Sequence, residues 1–113
     1  MRRAGLSLRV DLRPGFAFGP GKADLLEHIR DTGSIAAAGR RMKMSYTRAW
    51  GLVEEMNAAF ARPLVRSAKG GASRGGAELT ELGADVLERY RRMQAASQRA
   101  AAADLKALLA RLR

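Results

Sequence analysis

The fold is decided by residues 33–57, which read GSIAAAGRRMKMSYTRAWGLVEEMN. Two short helical segments, 34–42 and 45–60, are separated by a turn too short to hold another element. Ser34 and Ser45 stand where an N-cap hydroxyl accepts a hydrogen bond from the first helical turn. In the second segment the apolar residues recur with helical spacing and predict a buried stripe of Ala49, Leu52, Val53, Met56 and Phe60. This pattern predicts a helix-turn-helix, whose second helix can lie in the major groove of DNA.

A basic, glycine-rich hairpin is predicted after the second helix. Pro63 ends that helix, and the short segments 64–68 and 77–79 are predicted as two strands. The tip between them, residues 69–76, contains two cations and no acidic residue. A hairpin of this kind after a helix-turn-helix is typical of the wing in winged-helix proteins.

The flanking segments complete the predicted architecture. Residues 6–12 alternate apolar and polar side chains, which predicts a half-buried strand. A helix is predicted from Lys22 to about Gly33, and Thr80 caps a last helix of roughly 50 Å. The whole sequence is predicted as one domain, mainly α with a small β-wing: an N-terminal strand within 1–13, a winged helix-turn-helix core within 21–79, and a C-terminal dimerisation helix over 80–113.

The composition predicts a thin core and therefore a homodimer. Alanine supplies 22 of the hydrophobic residues that make up 47% of the 113-residue chain, and Phe, Tyr and Trp together supply 5%. Small domains bury a low fraction of their surface, and alanine adds little area per residue. The last helix carries two apolar stripes that we assign to dimerisation: Leu82, Val86, Tyr90 and Met93, followed by Leu105, Leu108 and Leu112.

The charge indicates a polyanionic partner. The net charge is +10, and residues 40–74, with eight Lys or Arg and two Glu, carry +6 of it. The sequence has no cysteine, and its only histidine, His28, is interpreted as structural, so thiolate zinc sites, disulfides and most catalytic triads are excluded. No signal peptide or apolar run of membrane-spanning length is present. We therefore expect a cytoplasmic protein without enzymatic activity, cofactor or membrane partner.

Candidate DNA-contacting residues follow from the helix-turn-helix and the wing. If the apolar stripe of the second helix faces inward, Ser45, Tyr46, Thr47 and Arg48 include its outward, N-terminal part. Arginine can bind guanine O6 and N7 together, and threonine can meet a base edge or a thymine methyl. Trp50 is interpreted as a core residue that closes the helix packing. The further candidates lie in the turn and the wing: Lys43, Arg66, Lys69, Ser73 and Arg74.

Several of these stretches resemble the N-terminal DNA-binding domain of the ModE-type molybdate-responsive transcriptional regulators. The matching runs are 33–38, the Met-Ser-Tyr-Thr-Arg-Ala-Trp segment 44–50, Glu55-Met-Asn57, and the glycine-rich run 70–83. The wing is also similar to that of LysR-type winged helices. The resemblance implies a homodimeric repressor or activator that binds double-stranded DNA, with DNA-reading positions at residues 45–48 and in the wing.

Two features differ from that family. Lys43 stands where the turn commonly has glycine, which in a left-handed conformation costs on the order of 1 kcal/mol. Full-length members carry C-terminal molybdate-binding domains, whereas this sequence ends at Arg113, so we do not expect molybdate sensing by this polypeptide itself. Two alternatives to a sequence-specific regulator stay open: a non-specific architectural DNA-binding protein, and a dimerisation or protein-interaction module whose basic face binds an acidic partner or lipid.

Overall fold

The computed structural model describes residues 5–68 and 76–113. Its elements follow in the order β1 (Val10–Arg13), β2 (Phe16–Phe18), α1 (Pro20–Thr32), α2 (Ile35–Arg41), α3 (Tyr46–Ala59), β3 (Val65–Ser67), β4 (Ala77–Leu79) and α4 (Glu81–Ala110). The antiparallel pairs β1–β2 and β3–β4 form two separate two-stranded sheets. The predicted mainly helical architecture with a small β-wing and a long last helix is confirmed.

The core lies where α1, α2 and α3 pack together. Helix α1 contributes Leu25, Leu26 and Ile29, all completely buried, and Leu64 closes the cluster from the start of the wing. Of the stripe predicted on α3, Ala49, Val53 and Met56 are buried, whereas Leu52 and Phe60 are partly buried and pack against the core. The core contains few large side chains, as the high alanine content and the low aromatic content predict.

The local signals of the helix-turn-helix are confirmed. Ser34 Oγ accepts a hydrogen bond from Ala37 N at 3.1 Å, and Ser45 Oγ accepts one from Arg48 N at 3.1 Å. Between the two helices, Lys43 has a φ of 57°, which is the left-handed conformation expected at this turn. The turn is therefore built as predicted, with a lysine where glycine would carry no steric cost.

The N-terminal segment differs from its prediction. The strand expected over 6–12 is confined to β1, and it pairs with β2, which the sequence analysis missed. The alternation predicted half-burial of all its leucines, yet Leu6 and Leu12 are exposed. The buried apolar side chains come instead from Phe16 and Phe18 of β2, which a turn at residues 14–15 joins to β1.

Helix α1 begins two residues earlier than predicted, at Pro20. Proline is favourable in the first turn of a helix because its missing N–H would have no intrahelical partner there. The segment 19–22, whose Gly-Pro-Gly-Lys sequence superficially suggests a phosphate loop, is therefore the start of an ordinary helix. Gly33, in a left-handed conformation with a φ of 72°, ends α1 and donates its N–H to Ile29 O.

The first half of α4 is held against the body of the domain by polar contacts. Arg91 Nη2 lies 2.8 Å from Asp24 Oδ1 and 3.0 Å from Glu27 Oε1, so one guanidinium joins α4 to α1. The hydroxyl of Tyr90 donates to Leu8 O at 2.7 Å, and its ring packs edge-on against Phe18. Burial raises the pKa of the Tyr90 hydroxyl.

One member of the predicted dimerisation set, Tyr90, is 3% exposed in the single chain and packs against Phe18. Its place at a dimer interface stays a prediction, and it lines a small groove between β1 and α4. The second stripe is different, because Leu108 and Leu112 are 64% and 72% exposed near the end of the molecule, whose longest dimension is 54 Å. In the part of the chain that is described, no helix has the length and apolarity that a membrane crossing requires.

Candidate nucleic-acid interface

The outward face of α3 is open to solvent. With Ala49, Val53 and Met56 buried, a rotation of 100° per residue places Thr47 and Gly51 at the centre of the opposite face. Ser45, Tyr46, Thr47 and Arg48, the residues predicted to read DNA, are all exposed. The N-terminal turns of α3 therefore present a free helical surface.

Unpaired positive charge surrounds this surface. Lys43, in the turn, and Arg48, in the first turn of α3, are exposed, as are Arg40 and Arg41 at the end of α2. Within residues 5–68 and 76–113, none of these four cations forms an ion pair. Cations that lack an internal partner are available to neutralise phosphates.

Arg48 marks one flank of α3, on the side of the N-terminal hairpin. It lines a shallow groove together with Arg9, Lys22 and Glu55. Lys22 Nζ lies 3.3 Å from Glu55 Oε1, so the carboxylate nearest to this flank is neutralised by a lysine of α1. The repulsion that Glu55 would exert on a phosphate is thereby reduced on the Arg48 side.

Tyr46 and Trp50 mark the other flank, and here an expectation was wrong. Trp50 was interpreted as a core residue, yet it is 43% exposed and stacks on Tyr46, which is 58% exposed. Their ring centroids are 6.4 Å apart and their planes are 6° from parallel. The physical reason is the rotation of the helix, because Trp50 lies 100° past the buried Ala49 and lines the groove beside α3 instead of the core.

The wing strands lie beside this aromatic pair. Tyr46 and Trp50 line a groove of about 800 Å³ together with residues 34–36 at the start of α2 and with Arg66, Ser67 and Gly76 of the wing. The start of the wing and the outward face of α3 therefore border the same concave surface. The predicted wing contacts Lys69, Ser73 and Arg74 lie outside the described residues.

Arg66 differs from the other candidate cations because it has a partner. Its Nε and Nη2 donate to Glu78 Oε2 at 3.1 and 2.9 Å, across the pair that β3 and β4 form. Both side chains are largely exposed, so the pair contributes little to stability, about 0–1 kcal/mol. The main effect of the ion pair is electrostatic. Glu78 neutralises Arg66, which is the only cation on the described wing strands β3 and β4.

Asn57 holds the wing against α3, a role that the sequence analysis did not assign. Its Oδ1 accepts hydrogen bonds from Leu64 N at 2.8 Å and Val65 N at 3.1 Å, and its Nδ2 donates to Val65 O at 3.1 Å. One amide side chain thus satisfies three backbone groups where β3 begins. The presence of Asn57 in the family-like run 55–57 was the only signal that could have identified it.

The comparisons with known proteins agree with this geometry. The molybdenum-pterin-binding protein MopB of Rhodobacter capsulatus is 41% identical over 83 residues, which are 74% of this chain and 31% of that protein. The transcriptional regulator ModE of Haemophilus influenzae is 33% identical over 90 residues, 80% of this chain and 35% of that protein. The chain thus spans about a third of the length of these relatives. No protein-family model matches it.

A solved structure supports the fold. The DNA-binding domain of CbnR, crystallised with DNA, superimposes with a TM-score of 0.61 over 78% of this chain and 95% of that domain, at 23% identity. These two relatives are named as a transcriptional regulator and as a molybdenum-pterin-binding protein, and neither is named as an enzyme, which agrees with the prediction of no enzymatic activity. The chain is therefore a winged helix-turn-helix domain whose sequence is similar to that of ModE-type regulators.

Proposed function

We propose that this domain binds double-stranded DNA in a sequence-specific manner, as the DNA-reading part of a transcriptional regulator in the cytoplasm of a bacterium. Helix α3 enters the major groove with its N-terminal turns, where Thr47 and Arg48 meet base edges. Ser45 and Lys43 contact the phosphate backbone beside it, and the wing contacts the flanking duplex.

The observation that carries this proposal is the groove shared by α3 and the wing strands. Its lining combines Tyr46 and Trp50 of α3 with Arg66 and Ser67 of the wing, and the unpaired cations Lys43 and Arg48 lie at the N-terminal end of the same helix. This arrangement is complementary to a DNA duplex, because the helix can enter the major groove while the hairpin contacts the phosphate backbone beside that groove. An acidic protein or a lipid surface would not need this shape.

The proposal is tested by comparing the affinities of two duplexes at one salt concentration. One duplex is selected from a random pool with the protein, and the other is a scrambled duplex of equal length and composition. We expect the selected duplex to bind about 10³-fold more tightly, as sequence-specific regulators do. A ratio near one would favour the architectural alternative and contradict sequence-specific reading.

We further propose that two copies of the chain form the functional unit. A small apolar groove of about 200 Å³ lies between β1 and α4, and its lining includes Leu12, Phe60, Val86 and Met93. Leu12 and Met93 remain half exposed in the single chain, as do the leucines near the end of α4. A second copy that covers these side chains would bury apolar area that the thin core leaves in water.

The dimer is expected to depend on the leucine face near the end of α4. In sedimentation velocity at tens of micromolar, the parent should sediment as a dimer and Leu108→Glu as a monomer. The matched control is Ala103→Glu, which introduces the same charge on the opposite face of α4 and should sediment as a dimer. A monomeric parent, or a control that dissociates as readily as Leu108→Glu, would contradict this arrangement.

A further inference from the structure

The stacked pair Tyr46–Trp50 is an exposed apolar surface that lines a groove together with Glu54 and Arg66, on the flank of α3 opposite Arg48. The two nearly parallel rings lie at positions i and i+4, in the first two turns of α3. Trp50 is the only tryptophan of the chain, and the pair exposes about half of its surface although buried aromatic rings would stabilise a core that is short of large side chains. An exposed aromatic pair at this place needs a ligand with an apolar group.

The surroundings of the pair restrict what that ligand can be. Lys43 precedes α3, Arg48 lies on its first turn, and neither has an ionic partner in the described part of the chain. A polyanionic ligand that also offers an apolar group would contact both the rings and these two cations. Duplex DNA meets both conditions, because the C5-methyl of thymine is the apolar group that the major groove exposes.

The helix surface next to the pair is open enough for a base edge. A Cβ built on Gly51, the residue after Trp50, would meet no other atom within 4 Å. Thr47, one helical turn before Gly51, is exposed as well. The rings therefore stand beside a shallow helical surface that a base pair can approach closely.

We propose that Tyr46 and Trp50 form a thymine-methyl site that determines part of the sequence preference. This inference rests on the proposed function, since it assigns a specific ligand group to two residues of that DNA-reading face. It differs from the roles of the cations, because contact with a methyl group contributes apolar burial that is nearly independent of salt. The selected operator is expected to contain thymine where the N-terminal turns of α3 lie.

The test uses the duplex selected with the parent protein and a copy with deoxyuridine in place of thymidine in the contacted half-sites. Uracil keeps every hydrogen-bonding group of thymine and lacks only the methyl. We expect the parent to lose about fourfold in affinity per contacted methyl, the equivalent of one buried CH₂. The emission of Trp50 should change when the thymine duplex is added, and this change should be smaller with the uracil duplex.

Three variants localise the effect. Trp50→Ala should bind thymine and uracil duplexes with a ratio near one while still preferring the selected site to a scrambled one. Trp50→Phe, which retains an aromatic ring, should keep most of the ratio, and circular dichroism confirms that each variant is folded. Arg99→Ala, at an exposed position of α4 outside the groove and outside the leucine face, is the control and should keep the parent ratio.

The outcomes separate this inference from the proposed function. A parent that prefers the selected site but binds thymine and uracil duplexes equally overturns the methyl site alone, and the rings then pack on the sugar-phosphate backbone instead. A selected site without thymine in its half-sites overturns it as well. A parent without any preference for the selected duplex contradicts the proposed function itself, and this inference with it.

Discussion

Gly83→Ala is expected to destabilise the domain by about 3 kcal/mol, near the upper end of overpacking effects. Gly83 lies in the first turn of α4 and is buried against the backbone of Leu64. A Cβ at this position would lie 2.9 Å from the Leu64 carbonyl carbon and 3.2 Å from its Cα, and closer still to the carbonyl oxygen. Because backbone atoms cannot rotate away as a side chain does, α4 must shift relative to the start of the wing.

The matched control for this effect is Gly21→Ala. Gly21 occupies the first turn of α1, and a Cβ there would meet nothing within 4 Å. This substitution should leave stability unchanged or raise it by up to about 1 kcal/mol, since alanine is the better helix former. Urea denaturation of the two variants and the parent measures the difference. A Gly83→Ala variant as stable as the parent would show that α4 does not approach Leu64 as described.

Arg48→Ala is expected to reduce the discrimination between the selected and scrambled duplexes by about 1–3 kcal/mol. The guanidinium of Arg48 is exposed and has no ionic partner in the described part of the chain, so it is available to bind a base, while the backbone N–H of Arg48 donates to the capping Ser45 Oγ. Titrations of both duplexes at one salt concentration give the discrimination directly. The selected duplex should lose more affinity than the scrambled one.

The control for Arg48→Ala is Arg99→Ala, which removes the same charge from the exposed surface of α4. It should leave the discrimination unchanged, because Arg99 lies outside the groove that α3 and the wing share. If the two substitutions lower the affinities of both duplexes by the same factor, Arg48 acts only through net charge and is not a base-reading residue.

The helix-turn-helix was predictable because its signals are local. The serine caps, the two-residue turn and the proline that ends α3 each act within one helical turn, and the structure confirms them at Ser34 and Ser45. The wing strands were predicted for the same reason, because Pro63 precedes the first strand and Gly76 precedes the second. By contrast, β2 has only three residues, which are too few for a period of two to be recognised.

The features that sequence analysis missed depend on contacts between distant residues. Trp50 lies 100° around α3 from the buried Ala49, and whether a side chain at that angle is covered depends on which distant segments pack beside the helix. The Asn57 hydrogen bonds depend on where β3 begins relative to α3. The pairing of Arg66 with Glu78 depends on the register of a hairpin, which the length of the strands alone does not define.

The central claim is that a duplex lies across α3 and the wing, and amide chemical-shift mapping tests it most directly. In ¹H–¹⁵N spectra recorded with and without the selected duplex, the largest changes are expected at residues 45–51 and in the wing strands β3 and β4. The amides of residues 101–110 in α4 are expected to shift little. Changes concentrated on α4 or on α1, with residues 45–51 unaffected, would contradict the account.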